Sequence, residues 1–168
     1  DVGTGKSSFI AAKRDGKFSG SSKITIGIDV QCIPPNAGPE YPSILAFDLG
    51  GQERFQFMHD LYLKGAKAGV VLYDLTRPKT FDNVPKWIAL LQKEKQNLPI
   101  IVAGSKKDLV QPEDLGHYRT KWICLKPTLE HSESILSHFF CSALTLEGVE
   151  EIFGQLINVA PTISQISN

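Results

Sequence analysis

Cysteine is scarce in this chain: three in 168 residues, at Cys32, Cys124 and Cys141, scattered and without metal-ligand spacing. That speaks against a disulfide scaffold or a zinc cluster and fits a reducing compartment. Cys124 and Cys141 are expected to act as small core hydrophobes. No apolar run approaches the roughly 20 residues of a membrane span, and no secretory leader pattern is visible. Net charge is absent too, because 18 Lys and Arg balance 18 Asp and Glu. Non-specific attraction to nucleic acid or to an acidic bilayer is therefore not expected. No internal repeat or low-complexity tract occurs. The closing Ile166, Ser167 and Asn168 offer no cysteine for a prenyl group. The expectation is a cytoplasmic protein, peripheral to membranes only if termini beyond these residues carry an anchor.

What is present is an ordinary globular mix, 42% apolar and 21% charged, of a length that fits one domain spanning 1–168. Short β-type runs alternate with helix-period segments, the mark of an α/β fold with a mostly parallel sheet. Strands are expected at 24–33, 43–48, 69–73, 99–104 and 135–141. Helices are expected at 6–13, 53–64, 80–96 and 146–159. Prolines 34, 35 and 42 put the ends of the first two strands at a sheet edge. The run at 69–73 is wholly apolar, as a strand buried on both faces should be. Pro127 interrupts residues 111–133, where a short helix and an irregular loop are expected.

The chain opens Asp1-Val2-Gly3-Thr4-Gly5-Lys6-Ser7-Ser8. Gly3 and Gly5 let the backbone turn its N–H groups toward phosphate oxygens, and the following helix aims its positive end at the same anion. Lys6 adds a point charge, and Ser7 a hydroxyl for Mg²⁺. In the pattern G-x-x-x-x-G-K-[ST] the first glycine would precede Asp1. A first strand upstream is therefore expected to be missing. A gap is expected between strands 43–48 and 69–74, with the start of the glycine loop unanchored. A second phosphate-type turn, Asp48-Leu49-Gly50-Gly51-Gln52-Glu53, ends an apolar strand. There Asp48 can hold the Mg²⁺ shell through water, the Gly51 N–H can meet a terminal phosphate, and Gln52 can orient the attacking water.

Residues 48–55 (DLGGQERF) resemble the DxxGQERF stretch of Rab-type small GTPases. Residues 64–66, 74–76, 81–84 and Trp87, with Thr25-Ile26-Gly27-Ile28-Asp29, resemble the same branch of the Ras superfamily. The resemblance implies a P-loop three-layer α/β/α fold and a GTP/GDP switch with Mg²⁺, catalysis resting on Gln52, Lys6 and Thr25. It implies that Gly3, Thr4, Gly5, Lys6, Ser7, Ser8 and Gly51 grip phosphate, and that Ser7, Thr25 and Asp48 serve the metal. Phe18 lies against guanine. Ser105-Lys106-Lys107-Asp108 stands where the family reads the base: Asp108 accepts both guanine donors and Lys106 lays its stem on the ring. Ser105, shorter than the usual Asn, is expected to weaken one tether between base and glycine loop. Ser142, Ala143 and Leu144 form the loop whose Ala143 N–H meets guanine O6, Leu144 replacing the usual lysine. Val2 stands beside the terminal phosphate, and its branch implies slow hydrolysis. Effector, exchange and activating proteins would read the switch segments around Ile28, Val30, Phe47, Phe55 and Tyr62 on a monomer. The alternative is an interaction scaffold that does not hydrolyse nucleotide. An ATP-using P-loop kinase is disfavoured by Asp108 and the Gln-bearing turn.

Overall fold

The computed structural model describes residues 1–18, 20, 24–35, 43–51, 62–93 and 95–159. Among the described residues are five strands, β1 (Ile28–Ile33), β2 (Ile44–Leu49), β3 (Gly69–Asp74), β4 (Ile100–Ser105) and β5 (Ile135–Phe140), and five α-helices. These are α1 (Lys6–Asp15), α2 (Pro78–Asp82), α3 (Val84–Gln92), α4 (Pro112–Leu125) and α5 (Val149–Val159). Strands β1 and β2 form an antiparallel ribbon, Val30 opposite Phe47. Strands β3, β4 and β5 form a parallel sheet in that order, with Val71 opposite Val102 and Ala103 opposite Phe139. Among the described residues no ladder joins β2 to β3, so these strands are not paired in one sheet, in line with the expected gap.

The period-two alternation of the buried strands divides the core between two faces. Val71, Tyr73, Ile100 and Val102 pack with Phe81, Val84, Ile88, Tyr118 and Trp122 from α2, α3 and α4. Leu72, Ile101 and Ala103 pack on the other side with Phe9 and Ile10 of α1 and Ile152 and Phe153 of α5. The rings of Phe9 and Phe153 stack 5.1 Å apart. Helices thus cover both faces of the β3–β5 sheet, and every β4 residue is buried. This is the α/β layering the sequence implies.

Several local expectations change. The first strand begins at Ile28, not at residue 24. The helix expected over 80–96 is two, meeting at Asn83, with a proline in the first turn of each; proline suits a first turn and not an interior. Residues 112–125 form a helix of 14 residues. Pro112 opens it, Gln111 and Asp114 cap each other reciprocally, and Pro127 only shapes the 3₁₀ turn that follows. Cys124 is exposed and only Cys141 is buried, because α4 turns Tyr118 and Trp122 inward and position 124 falls on its outer side. The expected helix 53–64 lies outside the described residues except for its end at Tyr62 and Leu63. No helix of the described residues is long and apolar enough to cross a membrane.

Candidate functional site

The carboxyl ends of β2, β3 and β4 and the loop after β5 gather at the N-terminus of α1, where open α/β sheets place their ligands. Gly3 and Gly5 take left-handed backbone, φ 68° and 87°. Gly5 is the N-cap of α1 and has no side chain to occupy the free N–H groups of the first turn. Those groups and the helix dipole favour an anion. Thr4 is buried and its hydroxyl donates to the Asp1 carbonyl at 3.2 Å. The Lys6 amine donates to the same carbonyl at 2.6 Å. Burial pulls the Lys6 pKa below its ordinary value, and Arg77 adds to this while Asp48 opposes it. An anion beside the amine would raise the pKa again.

The start of the glycine loop is anchored, contrary to expectation. The Asp1 carboxylate accepts from Asn83 Nδ2 at 2.8 Å and from Trp87 Nε1 at 2.9 Å, so the end of α2 and α3 hold it. Arg77 Nη2 donates to the Val2 carbonyl at 2.9 Å.

Ser7, Thr25 and Asp48 converge. The Ser7 and Thr25 hydroxyls lie 2.8 Å apart. Asp48 Oδ2 accepts from both, at 3.1 Å from Thr25 Oγ1. Asp48 is buried, and its Oδ1 has no hydrogen-bond partner among the described residues. Two hydroxyls and a buried carboxylate are an all-oxygen donor set, which suits Mg²⁺. Ser8, the next residue of α1, is half-buried.

The second turn meets the first. A Cβ on Gly51 would fall 2.3 Å from the Asp1 carbonyl carbon and 2.5 Å from the Val2 nitrogen. The Gly50 N–H donates to the Gly27 carbonyl at 2.7 Å, which ties this turn to the Thr25 segment. Gln52 and Phe55 lie outside the described residues, as do all of residues 36–42.

The residues expected to read the base gather in a second cluster. Asp108 accepts from the Ser142 hydroxyl, and that oxygen accepts from the Leu144 N–H at 3.2 Å. The Lys107 N–H donates to the Cys141 carbonyl at 3.1 Å. Lys106 has left-handed backbone, φ 61°, and its amine pairs with Asp74 at 2.7 Å. Ala143 is half-buried, while Leu144 and Phe18 are largely exposed. Ser105 reaches the glycine loop. Its buried hydroxyl lies 2.7 Å from the Thr4 carbonyl and 2.9 Å from that of Tyr73, so it can donate into the glycine loop.

Sequence reasoning overlooked Asp74, Arg77, Asn83 and Trp87 as parts of this site. An acid ending a wholly apolar strand with a cation three residues on was the available signal for the first two.

The comparisons with known proteins agree with this geometry. The Ras family model matches residues 1–162. The chain belongs to the Ras family. It is 32% identical to the Ras-related protein Rab-4A of Homo sapiens over 92% of this chain and 68% of that protein. It is 35% identical to the Ras-related protein RABA4a of Arabidopsis thaliana, over 94% of this chain and 67% of the relative. It is 29% identical to the Ras-related protein Rab-31 of Mus musculus, over all of this chain and 83% of the relative. These similarities mark a Rab-like member and support a small-GTPase switch, in accord with the α/β layering.

Proposed function

We propose that this chain binds GTP and GDP with Mg²⁺, hydrolyses GTP slowly, and changes its surface for partners as it does so. The observation that carries this reading is the meeting of Ser7, Thr25 and Asp48 beside the glycine loop. In the proposed roles, Ser7 and Thr25 hold the metal directly and Asp48 through water. When bound, Mg²⁺ supplies positive charge against the β- and γ-phosphate oxygens. Lys6 adds a second charge, and the Gly3–Ser8 and Gly51 backbones donate N–H groups. Gln52 orients the attacking water, while Lys106 and Asp108 read guanine with Ser142, Ala143 and Leu144. Phe18 covers the ring.

Thr25 gives the switch its logic. Its side chain and backbone serve the metal and the terminal phosphate only while that phosphate is present. Loss of the phosphate frees the segment carrying exposed Ile24, Ile26 and Val30. Effector, exchange and activating proteins are the proposed readers of that surface, on a monomer. Val2 at the lip of the loop supports slow turnover, since its branch leaves less room for water and an incoming arginine. The same residue favours the second reading, a scaffold that holds nucleotide without hydrolysing it.

Chromatography of the nucleotide released from denatured, purified protein tests the first claim. Guanine nucleotide is expected; adenine nucleotide alone, or uptake of none after incubation with GTP and Mg²⁺, overturns it. Single-turnover hydrolysis of pre-loaded GTP then separates switch from scaffold. A slow, Mg²⁺-dependent release of phosphate is the switch, and none over many hours is the scaffold.

A further inference from the structure

Asp74 is fully buried, yet two cations converge on one of its oxygens. Arg77 Nε donates to Asp74 Oδ2 at 2.8 Å, and Lys106 Nζ approaches the same oxygen at 2.7 Å. The other oxygen accepts from the Thr76 N–H at 2.9 Å and from the Thr76 hydroxyl at 2.7 Å. Arg77 starts from a fixed point. Its N–H closes a turn onto the Asp74 carbonyl at 2.9 Å, and Thr80 Oγ1 donates to its carbonyl at 2.7 Å. From there the guanidinium spans two partners, Asp74 through Nε and the Val2 carbonyl through Nη2 at 2.9 Å. It lies over Gly3, where a Cβ would sit 3.5 Å from Nη2. Lys106 belongs to the turn that carries Asp108. A continuous chain of charge-assisted bonds therefore runs from the glycine loop through Arg77 and Asp74 to the base-reading turn.

We propose that Arg77 is a positioning residue of the nucleotide site, latching the Val2–Gly3 backbone to Asp74 and, through Asp74, to Lys106, so that the phosphate grip and the base grip open together. The inference rests on the guanine-nucleotide reading above and adds a residue to it. Guanidinium geometry matters here. Nε and Nη2 diverge as a fork that serves two acceptors at once, whereas a lysine amine serves as a point charge. Burial alone would raise the Asp74 pKa, but hydrogen bonds from Lys106, Thr76 and Arg77 outweigh it and hold the carboxyl below its ordinary value. The acid thus remains a carboxylate able to serve both cations.

The test is a double-variant cycle on the release of fluorescent GDP from Mg²⁺-loaded protein. Arg77→Ala is expected to speed release by about fivefold to tenfold, the loss of one or two charge-assisted bonds. Arg77→Lys is expected to stay near the Ala rate, because one amine does not replace the fork. Lys106→Ala also speeds release. In the double variant Arg77→Ala/Lys106→Ala the latch is already broken by either change, so the rate should fall short of the product of the single effects by about fivefold. A merely structural role for Arg77 would not move that shortfall. If Arg77→Ala does not fold, the cycle runs with Arg77→Lys. A double variant whose rate equals or exceeds the product overturns the inference while leaving the nucleotide reading standing. A wild-type chain that takes up no guanine nucleotide overturns that reading and the latch with it.

Discussion

The end of the site proposed to face phosphate and the end proposed to face the base are built from different parts. At the phosphate end, beside the side chains of Thr4, Lys6, Ser7 and Asp48, the closest approaches are of backbone to backbone. Gly3 and Gly5 hold left-handed φ, Gly50 lies against the Gly27 carbonyl, and Gly51 lies against the Asp1–Val2 peptide. At the base end the contacts are made by side chains: Ser142 to Asp108, Lys106 to Asp74, Ser105 to the Thr4 carbonyl. Backbone contacts at van der Waals limits admit no Cβ. Side-chain contacts admit a different residue if another polar atom reaches the same partner. This accounts for where the chain departs from the pattern it resembles. The departures Ser105 and Leu144 are at the base end, and Ser105 still reaches the glycine loop.

The contrast breaks most visibly at the charges. Lys6→Ala removes a half-buried amine from the proposed anion site and should cost about 3–5 kcal/mol of GTP binding, several hundredfold or more. Titration calorimetry checks it, and an affinity within tenfold of wild type would remove Lys6 from the site. Gly51→Ala places a methyl group within 2.6 Å of the Asp1 and Val2 backbone, and no side-chain rotation relieves such a contact. The expected cost is about 1–3 kcal/mol, read as a reduced preference for a GTP analogue over GDP with little change in GDP affinity.

A pH titration probes the core of the sheet that carries the site. His138 of β5 is stacked between Tyr73 and Trp122, with ring centroids 5.9 and 5.0 Å away. Its Nε2 and the Tyr73 hydroxyl are 2.9 Å apart. Burial, aided by the charge of Arg119, lowers its pKa from 6.5 to about 4. The folded state therefore favours neutral imidazole. Its stabilising contribution is complete above pH 6.5 and is lost as pH falls through about 4, a loss of up to about 3 kcal/mol. Denaturant melts across that window should show it for the wild type and not for His138→Phe.

Asp108→Ala removes the acceptor proposed for two guanine donors and should weaken GDP by about 2–3 kcal/mol, with no matching change for free pyrophosphate. Equal weakening of both would move Asp108 from base reading to general support. The smallest effect should come from Ser105→Ala. Losing the hydroxyl that reaches Thr4 and Tyr73 should cost about 1 kcal/mol, seen as GDP release roughly fivefold faster. No change would mean that the tether is idle.

Much of this arrangement could be read from the letters. The apolar runs at β3 and β4 set a sheet covered on both faces. Gly3, Gly5, Lys6 and Ser7 set an anion site at a helix start, and Asp48 through Gly51 set the facing turn. The interruption at Pro127 predicts a helix shorter than α4, whereas the capping pair at Gln111 and Asp114 opens one of 14 residues. Cys124 was assigned inward on composition, but helix phase decides the face. The anchoring of Asp1 could not be read at all, because its partners Asn83 and Trp87 are 82 and 86 positions away.

What the sequence determined by itself is what short-range physics controls: positive-φ glycine, strand and helix periodicity, and proline at helix starts. Tertiary structure decided which polar atoms meet. Ser105 finds the Thr4 carbonyl across 101 positions, and Asp74 gathers Arg77 and Lys106 at one oxygen. A hydrogen bond is satisfied by whatever group packing brings within about 3 Å, and no local preference of either residue encodes that meeting.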